Sequence, residues 1–415
     1  MKTIALVDVH HGRGHHLTYM RFFCKTLLAE GYRVISFYPV PEKVRSWLQI
    51  QCPQHSDQFH SFEINEFAHR QLPLIKKIPS RIQPPNILAR WLYTTATIQN
   101  AVQQIDIVPD LIFFNWLDSY LSCYLSHHLI DRIFPYSWSG LYFRPGELRF
   151  GKSFPFPHYA VAQSSRCKAL TLLDEGVAQK LKSQVKNPVL SFPDLTDEAP
   201  PNPNLEITQA VRRKAGNRKI VGLMGSLSKR KGLLTLLEVA QKLEKEDWFF
   251  LFAGSLAQAT FHQEYDKHLL EDYQKVQSII NSSPKNCFFY LRSIPDELHF
   301  NSLINTCNII FAAYENFPYS SNILTKAAVF KKPVIVSQGF CMAKRVHDFG
   351  LGLSIPEGDV DSCVEALKYL GNILDQDRFA NFPAKFSQLQ FNFEGYHQLH
   401  SQEKLRQVFQ EILKN

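Results

Sequence analysis

Residues 308–337, NIIFAAYENFPYSSNILTKAAVFKKPVIVS, constrain the fold more than any other stretch of this chain. The apolar run Ile309 to Ala312 predicts a strand, a polar loop holds Glu315, the segment from about Ser321 to Phe330 predicts a helix, and Pro333 to Val336 predicts a second buried strand. That order is a βαβ unit, whose ligands sit in the crevice at the carboxyl ends of the strands. At the predicted helix start, Ser320, Ser321 and Asn322 are capping residue types, and the N–H groups of a helix amino terminus suit an anion. Glu315 cannot grip an anion, so one end of this loop suits negative charge and the other suits hydroxyl groups.

The same alternation of strand and helix recurs on both sides. In the first half, strands are predicted at Thr3–Val9, Tyr32–Tyr38, Pro109–Trp116, Ile133–Trp138, Ala160–Gln163, Ala169–Leu172 and near Val189, with helices at Leu17–Glu30 and from Asp174. Gly31 closes the first helix as its C-cap, and Asn115 and Asp118 follow the Pro109–Trp116 strand. In the second half, strands at Lys219–Met224, Trp248–Ala253 and Cys287–Leu291 alternate with helices at Leu233–Glu244 and Pro295–Thr306. The tail, Tyr396 to Lys414, predicts one amphipathic helix. With 415 residues the chain exceeds the roughly 250 to 300 that one core holds. Two doubly wound α/β domains follow as the expected fold class, at 1–195 and 205–395, with a terminal helix over 396–415 crossing back to the first. The proline-dense stretch Ser191 to Asn204 is the expected linker.

Composition narrows the function classes. Hydrophobic residues at 45% and charged residues at 20% supply two cores and argue against extended disorder. The start, MKTIALVDVHHG, carries Asp8 inside a short apolar run and reads as a buried strand, not a signal peptide. No window reaches the roughly 18 apolar residues of a membrane span. Eight cysteines without a CxxC pair read as reduced, mostly buried thiols of a cytoplasmic protein. The formal charge of +8 invites anionic partners, but the basic residues are dispersed, without an arginine-rich arm or an aromatic RNP-like strand, so nucleic acid is not expected. Residues 66–93 interleave Arg70, Lys76, Lys77, Arg81 and Arg90 with Leu, Ile, Trp and Tyr, a composition that suits either an anionic membrane surface or a solvated basic excursion.

The loop after the first strand, His10-His11-Gly12-Arg13-Gly14-His15-His16, has two glycines that let backbone N–H groups approach a ligand or simply make a tight βα turn. A dinucleotide fingerprint is excluded because Leu17 stands at the third glycine position and no acid ends the second strand. The four histidines lack an acidic partner in helical register, so no metal is expected, and a single imidazole acting on an acceptor hydroxyl or a phosphate is the better use of the loop. Trp138, in Tyr136-Ser137-Trp138-Ser139-Gly140, is either a sugar-stacking residue or core.

The second half resembles the retaining glycosyltransferases of family 4, which have the two-domain GT-B fold. The resemblance rests on an ordered series: Gly225-Ser226-Leu227-Ser228-Lys229-Arg230-Lys231-Gly232; Leu251-Phe252-Ala253-Gly254; Ile294-Pro295-Asp296-Glu297-Leu298; Tyr314-Glu315; Lys332-Pro333-Val334-Ile335; and Ile355-Pro356-Glu357-Gly358-Asp359. It covers residues 219–370 strongly and the first domain in outline. It implies transfer of a sugar from a nucleotide-sugar donor on the second domain to an acceptor on the first, in a cleft between them, with retention and without a metal or other cofactor. By this resemblance Lys231 and Arg230 grip the diphosphate and Glu315 accepts donor-sugar hydroxyls. Gly225, Ser226, Gly254, Arg292, Asn316, Phe317, Ser320, Ser321, Asn322 and Lys326 surround the donor. His11, Gly12, Gly14, His15, Ser137 and Trp138 fall on the acceptor side. Two positions depart from the pattern. Ser226 replaces an arginine, and Lys326 replaces the glutamate that normally holds the ribose, although a lysine cannot accept hydroxyl protons. These departures leave a second expectation open, a GT-B protein with impaired catalysis that binds nucleotide or carbohydrate as a partner subunit.

Overall fold

The computed structural model describes residues 1–10, 15–65, 83–144, 155–256, 267–375 and 389–415. Two compact units divide them: Met1–Leu195 with His400–Asn415, and Thr196–Leu399.

The first unit is built on seven parallel strands: β1 (Thr3–Val7), β2 (Arg33–Tyr38), β3 (Phe59–Glu63), β4 (Leu111–Phe114), β5 (Trp138–Tyr142), β6 (Cys167–Leu172) and β7 (Val189–Ser191). Their order across the sheet is β3-β2-β1-β4-β5-β6-β7. Helices α1 (His15–Ala29), α2 (Pro41–Gln51), α3 (Gln83–Ile105), α4 (His127–Ile133) and α5 (Glu175–Lys182) connect them. Strands buried on both faces need apolar residues in succession, not alternation. Accordingly Ile4 and Leu6 of β1 join one core and Ala5 and Val7 the other.

The second unit has six parallel strands, β8 (Lys219–Met224), β9 (Trp248–Ala253), β10 (Cys287–Tyr290), β11 (Ile309–Ala312), β12 (Val334–Ser337) and β13 (Gly352–Ile355), ordered β10-β9-β8-β11-β12-β13. Its helices are α6 (Glu206–Ala215), α7 (Leu233–Lys242), α8 (Lys267–Ser282), α9 (Glu297–Thr306), α10 (Ile323–Val329), α11 (Cys341–Phe349), α12 (Val360–Leu374) and α13 (Phe393–Leu399). The last helix, α14 (Gln402–Lys414), belongs to the first unit, where Leu405, Val408, Phe409 and Ile412 enter the core beside Phe23, Phe113 and Phe192.

In each sheet one strand has chain-order neighbours running off in opposite directions, and the crevice beside it at the carboxyl ends is where such folds bind ligands. That switch point falls between β1 and β4 in the first unit and between β8 and β11 in the second.

Several local expectations are corrected. Of the segment predicted as a strand from Ile133 to Trp138, Ile133 is the last residue of α4, residues 134–137 belong to neither helix nor strand, and the strand begins only at Trp138. Ser126 explains this, because its hydroxyl accepts from Leu129 N–H and starts a helix upstream. Ala160–Gln163 is a 3₁₀ turn. The expected linker begins too early: Phe192, Asp194 and Leu195 are buried, and Tyr19 donates to Asp194 Oδ1 at 2.7 Å. The tail is two helices, not one. The buried His400 at the break accepts from Asp194 N–H through Nδ1 at 3.0 Å, and Ser401 caps α14. All eight cysteines are free thiols, six of them buried. No helix among the described residues is long and apolar enough to cross a membrane. Residues 66–82 of the basic stretch lie outside the described residues.

Candidate functional site

In the second unit the loops after β8 and β11 meet at the switch point. After β8 the chain turns through Gly225 at φ +98°, and its N–H donates to Ala253 O at 2.9 Å. Gly254, after β9, lies so near that a Cβ there would stand 1.6 Å from Gly225 O. Only glycine permits this approach, and it brings the ends of β8 and β9 together. Lys229 to Lys231 then form a 3₁₀ turn, and Gly232, in the left-handed region at φ +70°, leads into α7.

Three cations gather on that turn. The Lys231 ammonium donates to Met224 O at 3.1 Å and stands 5.2 Å over the Tyr314 ring. The Arg230 guanidinium lies 4.7 Å over Phe317 and 5.7 Å over Tyr314. Lys229 pairs with Asp272 of α8 at 2.5 Å. The loop after β11 is tied to the same turn, since Glu315 N–H donates to Arg230 O at 2.7 Å. The next residue, Asn316, sits at φ +46° with its N–H held by Glu357. Burial pushes the half-buried Glu315 carboxyl above the ordinary range, with Lys229 pulling it down and Asp272 and Glu357 pushing it up. Cations and a carboxylate therefore stand together on loops fixed by main-chain hydrogen bonds. Ser226 and Arg292 are exposed, and the Arg292 guanidinium lies 4.7 Å over the Tyr290 ring.

The helix start differs from its expectation. α10 begins at Ile323, Asn322 makes no side-chain cap, and the Ser320 hydroxyl accepts from the buried Arg345. Ser321 contributes its carbonyl, which accepts from Leu324 N–H at 3.1 Å. Lys326, which the resemblance sets beside the donor, is only 2% exposed. Its ammonium donates to Glu297 Oε2 at 2.8 Å and to Asn301 Oδ1 at 2.5 Å, above the Phe300 ring at 5.1 Å.

In the first unit the expected acceptor residues fare differently. His11, Gly12 and Gly14 lie outside the described residues, as does the side chain of His15. Trp138 is fully buried against Trp91 and Phe114, and its indole N–H donates to Ser164. Because β5 starts at Trp138, Ser137 and Trp138 lie at its amino end, away from the ligand-facing edge. The carboxyl ends of β1, β4 and β5 instead present His16 and Asp118, both pointed to from the sequence, together with Asp8, His10, Trp116, Ser119 and Phe143, to which sequence reasoning gave no role. Asp8 accepts from His10 N–H at 3.0 Å and pairs with His16 Nδ1 at 2.9 Å. His10 Nε2 meets Ser119 Oγ at 2.6 Å, and Arg90 donates to Ser119 O at 2.6 Å. Trp116 stacks on Phe143 at 4.2 Å and approaches the His16 ring at 4.5 Å. Asp118 accepts from Phe143 N–H and Arg144 N–H, each at 2.8 Å.

Two parallel-sheet units of this kind, each with polar loops at its switch point, define the GT-B fold of glycosyltransferases. Residues 206–377, within the second unit, match the family model described as glycosyl transferases group 1. Solved structures resemble the whole chain in fold. A glycosyltransferase from Rickettsia africae ESF-5 is 15% identical with a TM-score of 0.67, covering 100% of this chain and 99% of its own. Sucrose-phosphate synthase from Thermosynechococcus elongatus is 15% identical with a TM-score of 0.63, covering 100% of both chains. Anabaena Alr3699/HepE, solved in complex with UDP and glucose, is 14% identical with a TM-score of 0.61 and covers 100% of both. Comparison with curated proteins gives no match.

Proposed function

We propose that this protein transfers a sugar from a nucleotide-sugar donor to an acceptor hydroxyl. The observation that carries the proposal is the gathering of Lys231, Arg230 and Glu315 around one switch point, with Glu315 N–H bonded to Arg230 O. A departing nucleoside diphosphate gains negative charge as the glycosidic bond breaks, so fixed cations favour the transition state over the ground state. Lys231 and Arg230 meet that charge, and Glu315 accepts hydroxyls of the donor sugar. Similar folds that bind UDP and UDP-glucose in Anabaena Alr3699/HepE support a nucleotide-sugar donor. These cations stabilise the leaving group without a divalent ion, so turnover persists in EDTA. Retention at the anomeric carbon is part of the proposal, and proton NMR of the first-formed product anomer tests it. The basic and aromatic composition of residues 66–93 supports action at an anionic lipid surface, read by liposome sedimentation with and without anionic lipid.

The main experiment is a thermal-shift panel with UDP, GDP and ADP, followed by turnover of the matching nucleotide-sugar. At least one nucleotide stabilises the protein, and Lys231→Ala and Glu315→Ala each lower turnover by roughly 10²-fold or more. Full activity in either variant removes the site assignment. A second reading, a nucleotide-binding subunit without turnover, is favoured by Lys326, whose ammonium is committed to Glu297 and Asn301. Stabilisation by nucleotide without release of nucleoside diphosphate from any donor would support it.

A further inference from the structure

The second unit carries a cavity that the donor loops do not use. It lies on the outer edge of the six-stranded sheet, beside β13, and encloses about 550 Å³, within the range of pockets that take small organic ligands. Among the described residues β13 pairs with β12 alone, so half of its main-chain groups face outward. Which half follows from the register: Val334 N–H donates to Leu351 O and Gln338 N–H to Ile355 O. Alternation then turns the N–H and C=O of Gly352 and Ser354 to the open edge, where both residues line the cavity. Beside them stand the Ser354 hydroxyl and the Gln338 and Gln390 side-chain amides, none of which has a hydrogen-bond partner among the described residues. Leu353 and Leu389 add apolar surface. The titratable groups of the wall answer charges of their own, since His347 and Asp348 approach at 3.5 Å and Asp348 also pairs with Lys344.

We propose that this cavity binds a neutral mono- or disaccharide, at a site apart from the donor loops. A sugar hydroxyl both donates and accepts, so one ring satisfies main-chain N–H groups, carbonyls and amides together. Its C–H face then covers Leu353 and Leu389. An anion finds no uncommitted cation on this wall. An extended peptide fits less well, because the edge is short. At one end a Cβ on Gly350 would stand 2.0 Å from Gln390 O, and at the other Pro356 has no N–H to continue a ladder. The binding does not depend on the transfer reaction proposed above, and it lies wholly within the second unit.

The test titrates the full chain with glucose, maltose and trehalose and reads binding by calorimetry and by saturation-transfer NMR. At least one of these sugars binds at millimolar concentration. Gln338→Ala and Gln390→Ala, both at exposed positions, each weaken it roughly 3- to 10-fold. Ser354→Trp fills the cavity and abolishes binding, with the urea midpoint reporting that the variant is folded. Saturating UDP and the Lys231→Ala variant leave the sugar affinity unchanged. Absence of binding by all three sugars overturns the inference. Affinity unchanged in the two alanine variants overturns the placement, as does affinity lost with UDP or in Lys231→Ala, which puts the sugar on the donor loops. Binding of a capped Val-Thr-Val peptide in place of the sugars makes the edge a strand-addition surface and overturns the proposal.

Discussion

The main-chain N–H of Asn316 is held by both carboxylate oxygens of Glu357, at 3.0 and 3.1 Å. Asn316 sits at φ +46°, in the left-handed region that asparagine adopts more readily than most side-chain-bearing residues. The residue before it is Glu315, anchored by its own N–H to Arg230 O. Glu357 therefore holds the turn that follows Glu315, although it comes from the edge of the sheet, after β13.

Glu357→Ala releases that turn without touching the core. Because misplacing a reacting group by about 1 Å costs on the order of 10²-fold in rate, turnover falls roughly 10- to 100-fold. The urea midpoint stays where it was, since Glu357 is exposed. Glu357→Gln keeps one acceptor oxygen and gives a smaller loss. Steady-state kinetics on both variants checks this.

The raised Glu315 carboxyl predicts an acidic limb in the rate profile. Burial favours its protonated form, so as pH falls Glu315 gains its proton at a higher pH than a solvated glutamate would. A protonated carboxyl no longer accepts two hydroxyls, and turnover declines on the acidic side. Removing the neighbouring negative charge in Glu357→Gln moves the limb to lower pH. Glu315→Gln abolishes the limb along with most of the rate. A profile of turnover between pH 4 and 8 for the three proteins decides it.

Lys326 carries a stability prediction. Its buried ammonium is satisfied by Glu297, Asn301 and the Phe300 ring. Lys326→Met leaves Asn301 Oδ1 without this donor while the partly exposed Glu297 returns to water. The expected loss is about 2 to 4 kcal/mol, read from urea unfolding. Lys326→Glu costs more, because it sets a carboxylate against Glu297 and the Asn301 oxygen. Pairing Lys326→Met with Glu297→Gln recovers part of the loss if the ion pair is the main term.

How much of this was legible depended on whether neighbours in sequence were also neighbours in space. The loop after β8 and the loop at Tyr314-Glu315 were readable because each follows an apolar strand and carries its own glycines or charges. Glu357 was not, because its partner Asn316 is 41 positions away and nothing in the local pattern marks it. Trp138 misled for a local reason: an apolar run from Ile133 looks like a strand, yet the Ser126 cap turns its beginning into a helix and moves the strand five residues on. Asp8 did give a signal, a charged residue at the end of an otherwise apolar strand. The sequence offered no way to see that His16, beyond two glycines, would fold back onto it.

Asp118 supplies a pH dependence of stability that is independent of catalysis. Burial pushes its carboxyl from the ordinary 3.8 up to about 6, against the pull of the Phe143 and Arg144 N–H groups. An acid whose folded form holds its proton more tightly than the unfolded chain stabilises the fold most at low pH. Between about 4 and 6 the unfolded chain has released that proton and the folded one has not, so stability from this group falls as pH rises through that window. The full difference corresponds to about 3 kcal/mol. Urea midpoints for the unaltered protein therefore decline from pH 4 to 6.5 more steeply than those of Asp118→Asn, which cannot titrate. The variant is less stable at pH 7, since an amide offers only one acceptor oxygen to two N–H donors. Parallel slopes in the two proteins would show that the Asp118 proton is not retained on folding.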